Sequence, residues 1–274
     1  MTSTPSLGDV VAIVHGRYDP ATAEDWDAVG LVCGDPAAPV RRILVAVDAV
    51  EATVNEALID VGVDLLLTHH PLLLHPVSSV AATTPAGRTV HRLVVGGCAL
   101  LAAHTNADVA REGVNDALAA ALGLTATAPL IPSDSDASTG LGRVGVLAAP
   151  TTLRELADHV AAALPPTAHG VRVSGDPSQR VERVAVVGGS GADALPAARA
   201  AGVDVVVTSD LKHHAVLDHR EAGGPALIDV AHFASEWPWV PAYAGLLHRD
   251  LVARGYDVDV RCSSIVTDPW TFRT

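Results

Sequence analysis

Short runs rich in Val, Leu and Ile alternate along the chain with alanine-rich stretches of helical period. The apolar runs at 43–47, 64–68, 99–103, 144–148, 184–187, 204–208 and 226–230 predict strands. The stretches 51–61, 109–122, 153–163, 192–201 and 239–254 predict helices between them. Thr152, with Glu155 three residues on, fits a capping box at the start of one of these. Alternation of this kind predicts an α/β fold with largely parallel strands.

Residues 125–142, rich in Thr, Pro, Ser and Asp, predict a linker inside one 1–274 unit, with a first half 1–128 and a second half 141–274. The halves resemble each other. A shift of 140 positions lays Val47 on Val187, Gly62-Val63-Asp64 on Gly202-Val203-Asp204, and Thr68 on Thr208. A shift of 128 lays His104 on His232 and Asp108 on Glu236, so both copies read His-x-x-x-carboxylate just after an apolar run. Several matches in the same order indicate an internal duplication. The expectation is two pseudo-repeated α/β halves around a shared cleft.

Composition narrows the function classes. Hydrophobic residues make up 49% of the chain, enough for a real core, and aromatics only 3%, so that core is aliphatic. A formal net charge of −13, with no run of Lys or Arg, argues against a protein that grips a nucleic-acid backbone. Cys33, Cys98 and Cys262 form no C-x-x-C pair and read as reduced thiols, so a cytoplasmic protein is expected. The N-terminus carries no signal-peptide pattern. The uncharged stretch 117–133 is too interrupted by Gly123, Pro129 and Pro132 to span a bilayer, so no membrane is expected as a partner.

Candidate chemistry gathers at the ends of three predicted strands. One ends in His69-His70-Pro71, one leads into His104-Thr105-Asn106-Ala107-Asp108, and one into His232-Phe233-Ala234-Ser235-Glu236. Ligands of parallel sheets collect outside the carboxyl ends of strands, and a four-residue spacing puts imidazole and carboxylate on one face of a helical turn. Adjacent histidines inside a regular strand point to opposite faces, whereas just past its end both rings can turn to one side. Imidazole with carboxylate and no thiolate suits catalytic Zn, Fe, Mn or Ni. The bland readings are surface imidazoles for His69-His70 and helix N-terminal charge for Asp108 and Glu236. By spacing alone the two readings stand about even.

A set of motifs running nearly end to end carries a resemblance. They are Trp26-Asp27-Ala28-Val29-Gly30-Leu31, Thr68-His69-His70-Pro71, Ala103-His104-Thr105-Asn106-Ala107-Asp108 and Gly113-Val114-Asn115-Asp116. Val187-Gly188-Gly189-Ser190-Gly191, Ser209-Asp210-Leu211-Lys212-His213-His214, Asp229-Val230-Ala231-His232 with Glu236, and Thr267-Asp268-Pro269-Trp270 complete the set. The chain resembles the NIF-three-like dinuclear metal-centre family, whose members are often labelled GTP cyclohydrolase 1 type 2 homologs. That resemblance implies two divalent metal ions held by His69, His70, Asp108, His232 and Glu236; Glu236, with the longer side chain, is the expected bridge between them. Ala107, Ala231 and Phe233 depart from the family's usual residues without removing a ligand. The resemblance also implies a closed homo-oligomer, a hexamer, for which Phe233, Trp237, Pro238 and Trp239 form a weak apolar hint.

His104, the repeat partner of His232, is assigned to orient a carboxylate or a water, and Lys212 and His214 are candidates to act on a small-molecule substrate. The expected chemistry is metal-dependent hydrolysis of a nucleotide or phosphate-bearing substrate. Two rival readings stay open. One is a non-enzymatic metal-binding or partner-binding regulatory protein. The other is a dinucleotide-binding oxidoreductase, because Gly189-Ser190-Gly191-Ala192-Asp193-Ala194 fits G-x-G-x-x-A after a strand and Asp210 takes a plausible ribose-binding position. A tight strand-to-helix turn explains the same glycines without a partner.

Overall fold

Runs such as Leu65–Thr68 and Ala99–Ala102 contain no polar alternation, and every residue in them is buried, as in parallel strands covered on both faces. The computed structural model describes residues 3–274, in two units: one up to residue 107 with 240–267, and 108–239 with 268–274. The first unit holds α1 (Leu7–Arg17), β1 (Gly30–Cys33), β2 (Arg42–Ala46), α2 (Glu51–Asn55), β3 (Leu65–Thr68), α3 (Pro85–Val95) and β4 (Ala99–Ala102). After α4 (Thr105–Val109), the second unit contributes α5 (Val114–Ala121), β5 (Thr125–Pro132), β6 (Gly140–Thr152), α6 (Leu153–Ala163), β7 (Arg172–Ser174) and β8 (Arg180–Ser190). It continues through α7 (Leu195–Ala200), β9 (Val205–Ser209), α8 (His213–Glu221), β10 (Ala226–Val230) and α9 (His232–Glu236). The chain then returns to the first unit through α10 (Trp239–Ala253) and β11 (Asp259–Cys262).

The first sheet runs β1-β4-β3-β2-β11 and the second β5-β6-β8-β9-β10-β7. Neighbours from β4 to β11 are parallel, as are β8, β9 and β10, while β1, β5, β6 and β7 pair antiparallel. Each sheet therefore contains three successive parallel strands, β2-β3-β4 and β8-β9-β10, which are the stretches that the sequence repeat superposes. One face of the first sheet packs Leu44, Leu66 and Leu100 against Val54 and Leu93 of α2 and α3. In the second sheet Val184, Val207 and Ile228 face α5 and α6, and Ala185, Val206 and Leu227 pack on the α7 side.

All seven predicted strands form, but the stretch expected as a linker, 125–142, is β5 and the start of β6. Pro129 and Pro132 are tolerated because β5 lies at the sheet edge, where a missing N–H breaks no ladder. The expected halves also shift, because β11 pairs in parallel with β2 and carries the C-terminal segment into the first sheet. Three predicted helices are interrupted. The 51–61 helix turns into a π-helix at Glu56–Val61 that stops at Gly62 (φ 65°), 109–122 is broken between Val109 and Val114, and 192–201 begins as a 3-10 turn. Positive φ at Glu112 (53°), just before Gly113, marks the second break.

The capping box of α6 forms: the Thr152 hydroxyl accepts from the Glu155 amide (3.2 Å), and Glu155 accepts from the Thr152 amide (2.9 Å). Hydrogen bonds from the Thr152 amide and the Thr151 and Thr152 hydroxyls hold the Glu155 carboxyl down at about 2. A depressed carboxylate contributes stability that is full above its unfolded value and is lost as pH falls toward the folded one. Thr152→Ala is expected to cost about 1 kcal/mol at pH 7 and less near pH 2, where Glu155 becomes protonated in wild type as well. Urea unfolding of both proteins across this range checks it.

Candidate metal centre

In the first unit the carboxyl ends of three neighbouring parallel strands meet. Just past β2, β3 and β4 stand Asp48, His69-His70 and His104. The His69 and His70 amides donate to the carbonyls of Ala46 (3.2 Å) and Val47 (2.9 Å), and the Thr68 hydroxyl donates to the His70 carbonyl (2.9 Å). This tight end turns both rings the same way, with centroids 4.9 Å apart, and the His104 ring lies 5.1 and 5.4 Å from them. One nitrogen from each of the three imidazoles lies within 4.8 Å of the others.

The partners of these rings assign their tautomers. Nδ1 of His69 contacts the Ala103 carbonyl (2.9 Å), Nδ1 of His70 the Asp48 carboxylate (2.7 Å), and Nδ1 of His104 the Asp27 carboxylate (2.8 Å). A carbonyl or carboxylate only accepts, so each Nδ1 carries a proton, and in the neutral form of the ring the lone pair is on Nε2. This is how metal-binding histidines are usually oriented. Asp27 is saturated: it also accepts from the Ala28 amide (2.7 Å) and from the amide and hydroxyl of Thr105. Burial pushes its carboxyl up, but the hydrogen bonds from Thr105 and His104 outweigh that and leave it below the usual carboxylate range. Asp48 accepts in addition from the Thr267 hydroxyl. Burial and the neighbouring His69 hold the His104 pKa down to about 4 against the opposing pull of Asp27, so the ring is neutral at pH 7.

In the second unit β10 leads into α9, where the spacing read from the sequence is realised: His232 Nε2 lies 2.9 Å from the carboxylate of Glu236, whose side chain is 3% exposed. His232 Nδ1 contacts the Asp210 carboxylate at 2.7 Å. An imidazole flanked by two carboxylates has one proton for two acceptors when neutral, so a second proton or a cation must mediate the other contact. Asp210 adopts a left-handed conformation (φ 57°) at the end of β9. The buried Asp229 secures that turn, accepting from the Leu211 amide (3.0 Å), from His169 Nε2 (2.8 Å) and from Arg172.

The glycine turn after β8 serves this group. A Cβ on Gly189 (φ 67°) would stand 2.6 Å from the Glu236 carboxylate and 3.1 Å from His232 Nε2, so the backbone's approach to these side chains requires glycine. The Gly189 amide, which a phosphate would need, donates to Ser235 Oγ (2.9 Å), and Ser190 and Gly191 lead through a 3-10 turn at 192–194 into α7. Asn115 joins this turn to Asp108 of α4: its carbonyl oxygen accepts from the Gly188 amide (2.9 Å) and its amide donates to the Asp108 carbonyl (2.9 Å).

The structure thus groups His69, His70 and His104 in one unit and His232 with Glu236 in the other. His104, assigned from sequence to a supporting role, stands in the cluster on a par with His69 and His70. Lys212 and His214 are exposed at the start of α8, where the His214 ring packs on His213 (5.1 Å). Phe233 and Trp239, read as an interface hint, are buried in the protomer. Sequence reasoning missed Asp27 and Asp48 and noted Asp210 only as a plausible ribose-binding position within the dinucleotide alternative. Their signal was present but unspecific, a carboxylate just beyond an apolar run or inside a quoted motif.

Comparison with known proteins identifies the family. A family model described as Duf34/NIF3 (NGG1p interacting factor 3) matches residues 5–269. The chain belongs to the Duf34/NIF3 family. A Streptomyces coelicolor member named "GTP cyclohydrolase 1 type 2 homolog" is 49% identical over 97% of this chain and 94% of that one. A Mycobacterium tuberculosis member of the same name is 36% identical, covering 96% of each. The solved structure of a Bacillus cereus protein related to NIF3 is 25% identical, covers 99% of this chain and 100% of that one, and has a TM-score of 0.92. A Staphylococcus aureus hypothetical protein is 29% identical with the same coverage and a TM-score of 0.91. The donor set of this Duf34/NIF3 chain, oriented imidazoles with a buried carboxylate and no thiolate, fits divalent ions. Among the described residues, no helix is long and apolar enough to cross a membrane.

Proposed function

We propose that this chain is a metal-dependent hydrolase acting on a nucleotide or related phosphate-bearing substrate, with two divalent ions held by His69, His70, Asp108, His232 and Glu236. The observation that carries the reading is the orientation of the imidazoles: His69, His70 and His232 each commit Nδ1 to an acceptor, which leaves Nε2 as the ligand atom, and His104 beside them is held in the same way. The ions would supply Lewis-acid activation of water and of the substrate's phosphoryl or carbonyl oxygen. The relatives' name, GTP cyclohydrolase 1 type 2 homolog, supports a purine nucleotide as substrate class.

The chain's own residues then divide the work. Asp27, Asp48 and Asp210 hold the rings in one tautomer. Glu236 supplies the negative charge that two neighbouring cations require. With a pKa near 4, His104 is too weak a base to take a proton efficiently at pH 7. Its place is beside the ligands, orienting a water or a ligand carboxylate. Lys212 and His214, exposed just beyond Asp210, are assigned to the substrate's phosphate.

Elemental analysis of full-length protein is expected to give two divalent ions per chain. Hydrolysis of nucleotides or phosphate esters should vanish with a chelator and return with Zn, Mn, Fe or Ni, while His70→Ala abolishes it with circular dichroism unchanged. A stoichiometry well below one after metal supplementation sinks the metal reading. Full metallation without turnover of any such substrate sinks the hydrolase reading.

A further inference from the structure

The segment that orients His104 also carries an aromatic surface for which the metal chemistry has no use. Trp26, next to Asp27, is 57% exposed, although Trp is a side chain that folding usually covers. Its ring lies 5.9 Å from the His104 ring and nearly perpendicular to it (78°), so the two do not stack on each other. Asp27 is locked by four hydrogen bonds from His104, Ala28 and Thr105, and the indole therefore leaves a rigid support beside the three-imidazole cluster. Trp26 and Asp27 line an open cavity of about 420 Å³ walled opposite by Leu73, Leu74, Pro76 and Val77 from the segment after His70, with Asp25 and His75 as its polar members. An open, largely apolar slot walled by an indole and next to reactive groups is the shape a flat ring fills, with polar groups at its edge.

We propose that this cavity binds a planar nitrogen-heteroaromatic ring, a purine base or a close relative, stacked on Trp26, and so presents the rest of the substrate to the His69-His70-His104 cluster. The proposal rests on the hydrolase reading for the identity of the ligand and names the part of the substrate that the metals do not recognise. Stacking suits this role because every nucleobase offers a π-face and the platform costs little ordering on binding.

Isothermal titration of full-length protein with guanosine, and with ribose 5-phosphate as a probe lacking the base, tests it. Trp26→Ala is expected to weaken guanosine binding by about tenfold or more, the usual scale of an aromatic–base stack. Trp26→Phe should retain most of the affinity, and neither change should move binding of ribose 5-phosphate. Unchanged guanosine affinity in Trp26→Ala overturns the proposal, as does an altered oligomeric mass by light scattering without a change in affinity, which would assign Trp26 to a subunit contact. Metal analysis of the same samples separates the two readings. Two ions per chain with no guanosine binding removes the stacking site and leaves the metal centre, whereas guanosine binding that depends on Trp26 in a protein unable to hold metal does the reverse.

Discussion

Glu236→Gln is expected to empty the metal centre while leaving the fold in place. The side chain is 3% exposed, packed against the Gly189 backbone and paired with His232, so an amide of the same shape preserves the packing and removes only the charge. Two neighbouring divalent ions repel each other strongly at low dielectric, and a buried carboxylate offsets that repulsion as a neutral amide cannot. The loss of affinity should exceed the roughly 10–100-fold that follows removal of an outer partner of a ligand. Metal content by elemental analysis should fall from two ions toward none, and any hydrolysis should fall with it. His104→Gln, which removes a neutral ring, should cost less. A Glu236→Gln protein that retains both ions would contradict the assignment of this carboxylate.

Asp48→Ala and Asp210→Ala should each weaken metal binding by roughly 10–100-fold, although neither residue is proposed as a ligand. Each carboxylate holds the proton of one imidazole on Nδ1 (2.7 Å at both His70 and His232). Without it the ring can rotate or take the other tautomer, which puts a proton on the ligand nitrogen. Asp210→Gly makes a sharper test, because Asp210 sits at φ 57°, where glycine is at ease and other residues are strained. Stability to urea should be unchanged or slightly higher while metal affinity, read by competition with a chelator, falls. Affinity equal to wild type would mean that His232 is oriented by its other contacts and that the carboxylate is incidental.

The ligand candidates were legible in the sequence because each follows an apolar run, and a run of four or five buried residues announces a strand wherever it occurs. The His-x-x-x-Glu spacing at 232–236 was enough to foresee the contact that α9 makes, since helical geometry over one turn is local. What failed was also local in appearance. Thr, Pro and Ser at 125–142 look like a linker, yet an edge of the second sheet accepts them as β5, because pairing with β6 decides the matter and a propensity cannot report a partner.

The sequence by itself determined the α/β class, the repeat of three parallel strands, and the histidines and carboxylates at their ends. These follow from patterns within a few residues or from the chain's likeness to itself. Only the tertiary structure decided the rest. It paired β11 with β2, brought Asp27 to His104 across 77 positions of sequence, and set Asp210 against His232. It also placed the glycine turn after β8 as a backbone floor against Glu236. The physical reason is common to all of these. A hydrogen bond between distant residues needs only one acceptor near one donor, and aspartate or glycine in a loop is too frequent to mark which one the fold will bring there.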